Sequence, residues 1–129
     1  MKHIEPNLGD LVFSDYAAGG RGAGEYDCFG LFAEICRRRG VTVPAHPTPD
    51  DLGLREAAIL DGAAQWVPLV KPEPWCGVAF RIGPFVAHMG VVLEDCEQFI
   101  HADRKIGITI DRLDSPRWAR RIAGFYRAP

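Results

Sequence analysis

The chain predicts an α+β domain, with N-terminal helices packed on one antiparallel sheet of about five or six strands. Three observations predict it. Residues 27–40 carry apolar side chains at helical spacing. From Gly77 onward the apolar period changes to two. The links between these later segments are short, as between consecutive antiparallel strands.

The helical stretch organises the rest. Asp27 is the expected N-cap, its carboxylate accepting from the amide of Phe29 or Gly30. Cys28 then occupies the first helical position. Leu31, Phe32, Ile35 and Cys36 form a broad apolar face, so the helix is expected to be well buried. Glu34 is spaced to pair with Arg37 and Arg38. Gly40 supplies a left-handed residue just past the end. A thiol in the first turn faces unpaired amides and positive potential, which favour thiolate and lower its pKa. Cys28 is therefore a candidate nucleophile, whereas Cys36, mid-helix on the apolar face, reads as structural.

Taken in order, Leu8 to Phe13 reads as a short strand or turn. Ala17 to Gly24 is glycine-rich but lacks the order of a phosphate loop, and reads as a flexible loop forming one lip above Cys28. Val43 to Pro47 is a stiff loop with His46 exposed. Thr48-Pro49-Asp50-Asp51 predicts a helix start with Thr48 as cap, continuing through Leu52 to Leu60 and ending at Asp61-Gly62. Trp66 to Val70 reads as an edge strand, because Pro68 cannot donate to a central ladder. Strands are expected at 77–82, 85–93, 97–102, 106–110 and 122–127, with a turn and short helix near Ser115 to Trp118.

The 129 residues suffice for one domain, 1–129, and not for two ordinary ones. A formal charge of −2 offers no basic surface for nucleic acid. Met1 to Pro6 lacks the apolar core of a signal peptide, so synthesis and initial residence in the cytoplasm are expected. No apolar run is long enough to span a membrane, so no membrane insertion is expected. The four cysteines include no C-x-x-C pair, which argues against a zinc ribbon or a disulfide framework.

Alternation places Val86, His88, Gly90 and Val92 on one strand face. With Glu94-Asp95 at the centre of the next connection, His88 falls opposite His101 and Gly90 opposite Phe99. Opposed Cβ atoms lie about 4.5–5.5 Å apart, within reach of an imidazole–imidazole hydrogen bond. Gly90 would clear space beside His88. Both rings are expected on the face toward Cys28. His88 would then take the thiol proton and His101 would fix the tautomer and orientation of His88. A metal site built from Cys28, His88 and His101 is the rival use of the same atoms.

These residues carry a family resemblance. Asp27-Cys28-Phe29-Gly30-Leu31, then His88-Met89-Gly90-Val91-Val92, then Ile100-His101-Ala102 resembles the D-C-x-G-L, H-x-G-[IV] and I-H-A pattern of the NlpC-type cell-wall cysteine peptidases. The resemblance runs from about Leu8 to Arg127. It implies a papain-like fold and hydrolysis of peptidoglycan stem peptides, commonly between γ-D-glutamate and a diamino acid, without metal or organic cofactor. It implies Cys28 as nucleophile, His88 as general base and His101 as the polar third member, with Asp27 as cap and cleft support. Phe29 after the cysteine, the single-domain length and the ending Gly124-Phe125-Tyr126-Arg127 resemble the phage-tail branch. That branch implies a virion-tail or prophage setting and contact with other tail proteins. A structural tail protein with weak or no hydrolysis, and an acyltransferase using the same thiol, are the alternatives.

Overall fold

The computed structural model describes residues 7–129. The reading of Met1 to Pro6, and those six residues of the 1–129 domain, lie outside it. A short 3-10 turn, Leu11–Phe13, stands where a strand or turn was expected, and leads into a small sheet of β1 (Asp15–Tyr16), β2 (Arg21–Gly22) and β3 (Glu25–Tyr26). Two helices follow, α1 (Cys28–Arg38) and α2 (Leu52–Ala63). Then come β4 (Val67–Leu69), β5 (Gly77–Ile82), β6 (Phe85–Val92), β7 (Gln98–Asp103), β8 (Gly107–Arg112) and β9 (Ile122–Arg127). These six strands form one sheet in the order β4-β9-β5-β6-β7-β8, with every pairing antiparallel. The expected α+β architecture is the one observed. β4, with Pro68, lies at an edge as its proline requires.

The glycine-rich segment is not a loose loop. It builds β2 and the turns of the small sheet, in the order β1-β3-β2, with Gly19 and Gly24 at positive φ where the chain reverses. The second helix also differs from expectation. Asp51, not Thr48, is its cap, accepting from the Leu54 amide at 2.9 Å, and the helix runs on to Ala63. Thr48 is diverted because its hydroxyl accepts from Arg21. The short helix near Trp118 begins one residue later, at Ala119–Arg121.

The end of α1 is held by local chemistry. The Gly40 amide donates to Arg37 O and the Val41 amide to Cys36 O, with Gly40 at φ 77°, which is the Schellman arrangement. Arg38 bonds Glu34 at 2.7 Å and also grips both carboxylate oxygens of Asp10, tying the 3-10 turn to the helix.

The sheet is covered on both faces. Leu31 and Ile35 of α1 pack with Leu11, Val91, Ile100, Ala102 and Ile108. Phe80, Val92, Phe99, Leu113 and Trp118 form the second cluster. Strand alternation assigns these two sets to opposite faces.

Candidate active site

The start of α1 is fixed by one buried carboxylate. Asp27 Oδ1 accepts from the Gly30 amide at 2.8 Å and from Arg21 at 2.7 Å, while Oδ2 accepts from the Gly19 amide at 3.0 Å. Burial alone would raise this carboxyl, but Thr48, the Gly30 amide and Arg21 outweigh it and hold the pKa below its ordinary value. Arg21 also donates to His46 O at 2.8 Å and Thr48 Oγ1 at 3.0 Å. The small sheet, the helix start and the 46–48 loop thus meet at Asp27. His46 is exposed as expected, its ring 6.0 Å from that of Phe29. A cleft of about 1270 Å³ opens beside this junction, lined by Arg21, Phe29, Phe32, Ile59, Trp66 and Met89 among others.

Cys28 sits at the first helical position, 5% exposed. Its expected lowered pKa is reversed. Burial, then the charge of Asp27, push the thiol up to about 12, against smaller opposite pulls from Arg55 and the first-turn amides. The same desolvation raises Cys36 to about 12. The helix N-terminus therefore does not by itself make a resting thiolate, and preferential alkylation of Cys28 over Cys36 near neutral pH does not follow from these pKa values.

On the sheet, the two histidines meet. His88 Nε2 and His101 Nδ1 are 2.8 Å apart. The route differs from the expected one. The β6–β7 connection runs from Leu93 to Glu97, where Asp95 accepts the Glu97 and Gln98 amides and Cys96 adopts φ 59°. Val91 then pairs with Ile100 and Val92 with Phe99, so the register is two residues from the expected one. A shift of two keeps every residue on its face, and the rings meet diagonally rather than directly across. Gly90 is needed beside β7 rather than beside His88. A Cβ there would lie 2.9 Å from Ile100 O, 3.1 Å from the Phe99 ring and 3.2 Å from His101 Cβ.

α1 covers Val91, Ile100 and Ala102, whereas His88 and His101 lie among Phe80, Phe99 and Trp118. The start of β6 nonetheless lies at the same end of the domain as the start of α1. A Cβ on Gly53, in the first turn of α2, would touch the Phe85 ring, and Arg55 bonds Ala87 O beside His88. The same Arg55 charge acts on Cys28. No hydrogen bond joins the Cys28 thiol to either ring among the described residues.

Two residues that the sequence did not assign to the site join the histidines. His101 Nε2 lies 2.7 Å from Asp111 Oδ2 on β8. An ionised carboxylate only accepts, so His101 Nε2 carries the proton and its Nδ1 is bare. His88 must then donate from Nε2, which leaves His88 Nδ1 as an open lone pair. Asp111 thus sets both tautomers and leaves one proton acceptor. Trp118 is the second addition, stacked on His88 with centroids 5.4 Å apart at 22° and edge-on to His101. Asp103 is occupied elsewhere, capping Lys105 and Ile106 amides and pairing with Arg117 at 2.7 Å.

Both rings are held neutral. Burial first, then the neighbouring His101, bring His88 down to about 3. Burial also lowers His101, partly countered by Asp111. Between about pH 3 and the ordinary histidine value near 6.5, the unfolded chain binds a proton that folded His88 refuses. Stability is therefore full above that window and lost as pH falls through it. The midpoint of thermal unfolding is expected to fall from pH 7 to pH 4, and more gently in His88→Gln. Parallel curves for the two proteins contradict this assignment.

Asp111→Asn is expected to lower turnover by ~10²-fold or more, chiefly in kcat, because an amide N–H aimed at His101 reverses both tautomers and protonates His88 Nδ1. His101→Gln should keep more activity than His101→Ala, since glutamine can still orient His88. Steady-state rates with folding checked by circular dichroism decide both.

Among the described residues, no group of three or more His, Cys, Asp or Glu side chains is placed to hold a metal ion. No described helix is long and apolar enough to cross a membrane. No curated protein matches the chain. Solved structures that share its fold include two NlpC/P60 family proteins. A lipoprotein-like NLP/P60 family protein of Staphylococcus aureus subsp. aureus Mu50 is 21% identical with a TM-score of 0.65, over 92% of this chain and 38% of that one. An NlpC/P60 family protein of Bacillus cereus ATCC 10987 is 21% identical with a TM-score of 0.68, over 95% of this chain and 40% of that one. The chain thus spans about two fifths of either neighbour. The NlpC/P60 family matches residues 13–127, which include the helix-borne cysteine and both histidines, and the chain belongs to that family.

Proposed function

We propose that the protein is a cysteine peptidase or amidase that hydrolyses peptide bonds of peptidoglycan stems, with Cys28 as nucleophile, His88 as general base and acid, and His101 orienting His88. The family supports the reaction class. The observation that carries the reading is the His88–His101–Asp111 chain, whose one open ring nitrogen is His88 Nδ1.

Both partners rest neutral, since Cys28 is pushed up to about 12 and His88 down to about 3. A thiolate–imidazolium pair is therefore not the starting state, and proton transfer accompanies attack. The Sγ proton passes to His88 Nδ1 as Sγ bonds the stem-peptide carbonyl carbon. The negative charge moves to the carbonyl oxygen, which the Cys28 amide at the start of α1 stabilises. The C–N bond then breaks as His88 returns its proton to the leaving amine. Water releases the thioester as a carboxylate and restores the thiol. No cofactor enters these steps. The resemblance supports a bond of the kind commonly cleaved in this family, between γ-D-glutamate and a diamino acid, as the target.

We place this activity in a phage or prophage tail, acting on the cell wall alongside other tail proteins. Phe29 after the cysteine and the ending Gly124 to Arg127 support that setting. The second reading is a structural tail-tip protein with weak or no hydrolysis. The high thiol pKa and the missing thiol–imidazole bond favour it. Digestion of purified peptidoglycan, with mass analysis of the soluble fragments, separates the two. Hydrolysis should release fragments bearing a new diamino-acid amine. Intact stems after prolonged incubation would favour the structural reading.

A further inference from the structure

His88 can accept a proton at Nδ1 only while its ring keeps one orientation. The last side-chain torsion of histidine is broad and two-fold, so the backbone does not set it. Half a turn about that bond would put a carbon where Nε2 faces His101 and carry Nδ1 to the other side. One hydrogen bond between neutral rings, with Nε2 and Nδ1 2.8 Å apart, is a modest latch against that rotation.

The second restraint is Trp118. Its indole stacks on His88 with centroids 5.4 Å apart at 22°, while His101 meets His88 edge-on at 78°. Phe80 flanks both, 5.9 Å from His88 and 5.0 Å from Trp118. Trp118 is 4% exposed, and its Nε1 is buried with no hydrogen-bond partner among the described residues. A buried indole ordinarily donates that N–H. Here the ring face makes the contact and the donor is unused.

Trp118 is braced in turn. The guanidinium carbons of Arg117 and Arg121 lie 4.7 Å and 5.6 Å from its ring centroid. Arg117 also pairs with Asp103 at 2.7 Å. Asp103 accepts the Lys105 and Ile106 amides and stands two residues after His101, on the same face of β7. These contacts close a circuit. From β7, His101 holds one edge of His88, and Asp103 holds its face through Arg117 and Trp118.

We propose that Trp118 is a positioning residue for the thiol reaction, clamping the plane of His88 so that Nε2 meets His101 and Nδ1 stays open, with Arg117 bracing Trp118 against Asp103. This rests on the peptidase reading above. The indole touches neither the thiol nor the scissile bond in that reading and acts only through His88.

Two measurements test the proposal. Long-range proton–nitrogen correlation spectra at pH 7 read the His88 tautomer without turnover. Wild type should show Nε2 protonated and Nδ1 bare. Trp118→Leu keeps an apolar side chain without a flat face, and should show averaged shifts at both ring nitrogens. Trp118→Phe keeps a face and should retain the wild-type pattern. Arg117→Met removes the outer brace at a half-exposed side chain, so it should fold and move the shifts part of the way. A wild-type pattern in folded Trp118→Leu, or in Arg117→Met, would overturn the proposal. The second measurement is steady-state hydrolysis of a soluble stem peptide. In Trp118→Leu, kcat should fall ~10–100-fold with KM little changed, as expected when a reacting group is misplaced. Trp118→Phe should recover most of that loss. Equal losses in the two variants, or a loss carried by KM, would make Trp118 a packing residue only and overturn the proposal. If wild type leaves the stem peptide intact, the peptidase reading fails, while the tautomer comparison still decides whether Trp118 orients His88.

Discussion

Cys28→Ala is expected to remove hydrolysis of peptidoglycan to the limit of detection, a loss on the order of 10⁴-fold or more. Nothing nearby can take over the bond to carbon. Cys36 lies two helical turns along α1 and is buried in the core, while Cys76 and Cys96 belong to the start of β5 and the β6–β7 turn. The fold should tolerate the change, because Asp27 still caps α1 through the Gly30 amide. Fragment release and thermal unfolding, measured on the same preparation, give the two halves of the result. Equal digestion by wild type and Cys28→Ala would remove the thiol from the mechanism.

The second large effect is structural. Gly30→Ala places a Cβ 2.0 Å from Gly20 O and 3.1 Å from Gly20 C, both backbone atoms, and 3.2 Å from Arg21 Nη1. Neither helix nor loop can yield a rotamer to relieve this. The Gly20–Arg21 segment must move away from α1, and it takes with it the Arg21 bonds to Asp27 and Thr48. A loss of about 3 kcal/mol or more in unfolding free energy is expected, at the upper end of overpacking costs. Gly62→Ala in α2 is the contrast. Its Cβ would meet nothing within 4 Å, so it should be neutral or stabilise by ~0.5–1 kcal/mol through helix propensity. Denaturant titration of the two variants beside wild type checks both. Similar midpoints for all three would show that the approach of Gly20 to α1 is not needed.

Much of this arrangement was legible in the sequence because it is local. Asp27, Cys28 and Gly40 mark a cap, a first helical position and a stop within one short stretch, and each takes its assigned place. The alternating strands are equally local. The face shared by His88 and His101 survived a wrong register because a two-residue slip leaves side-chain parity unchanged. The slip itself arose in the turn, where Asp95 and Cys96 lengthen the connection beyond what composition suggested.

The missed parts depend on contacts between distant segments. Asp111 reaches His101 only because β8 pairs with β7 in a register that sets Phe99 against Asp111. Asp111 shares its strand face with Thr109, opposite Ile108 and Ile110, so composition alone marks it as an ordinary polar position. Trp118 and Arg55 arrive from a turn and a helix whose packing the sequence does not fix. The thiol pKa went the wrong way for a related reason. A helix N-terminus is visible in sequence, but the burial that outweighs it is a property of the folded chain. Likewise, alternation put both histidines on one face without saying which face α1 would cover.

Trapping the acyl intermediate tests the central claim most directly. The protein is mixed with soluble stem peptide, quenched in acid within the first turnovers, and digested for mass mapping. The account predicts an added mass equal to the acyl half of the substrate on the peptide that contains Cys28, labile to hydroxylamine and missing from Cys28→Ala. Steady hydrolysis of the stem peptide with Cys28 unmodified at every time point would contradict it.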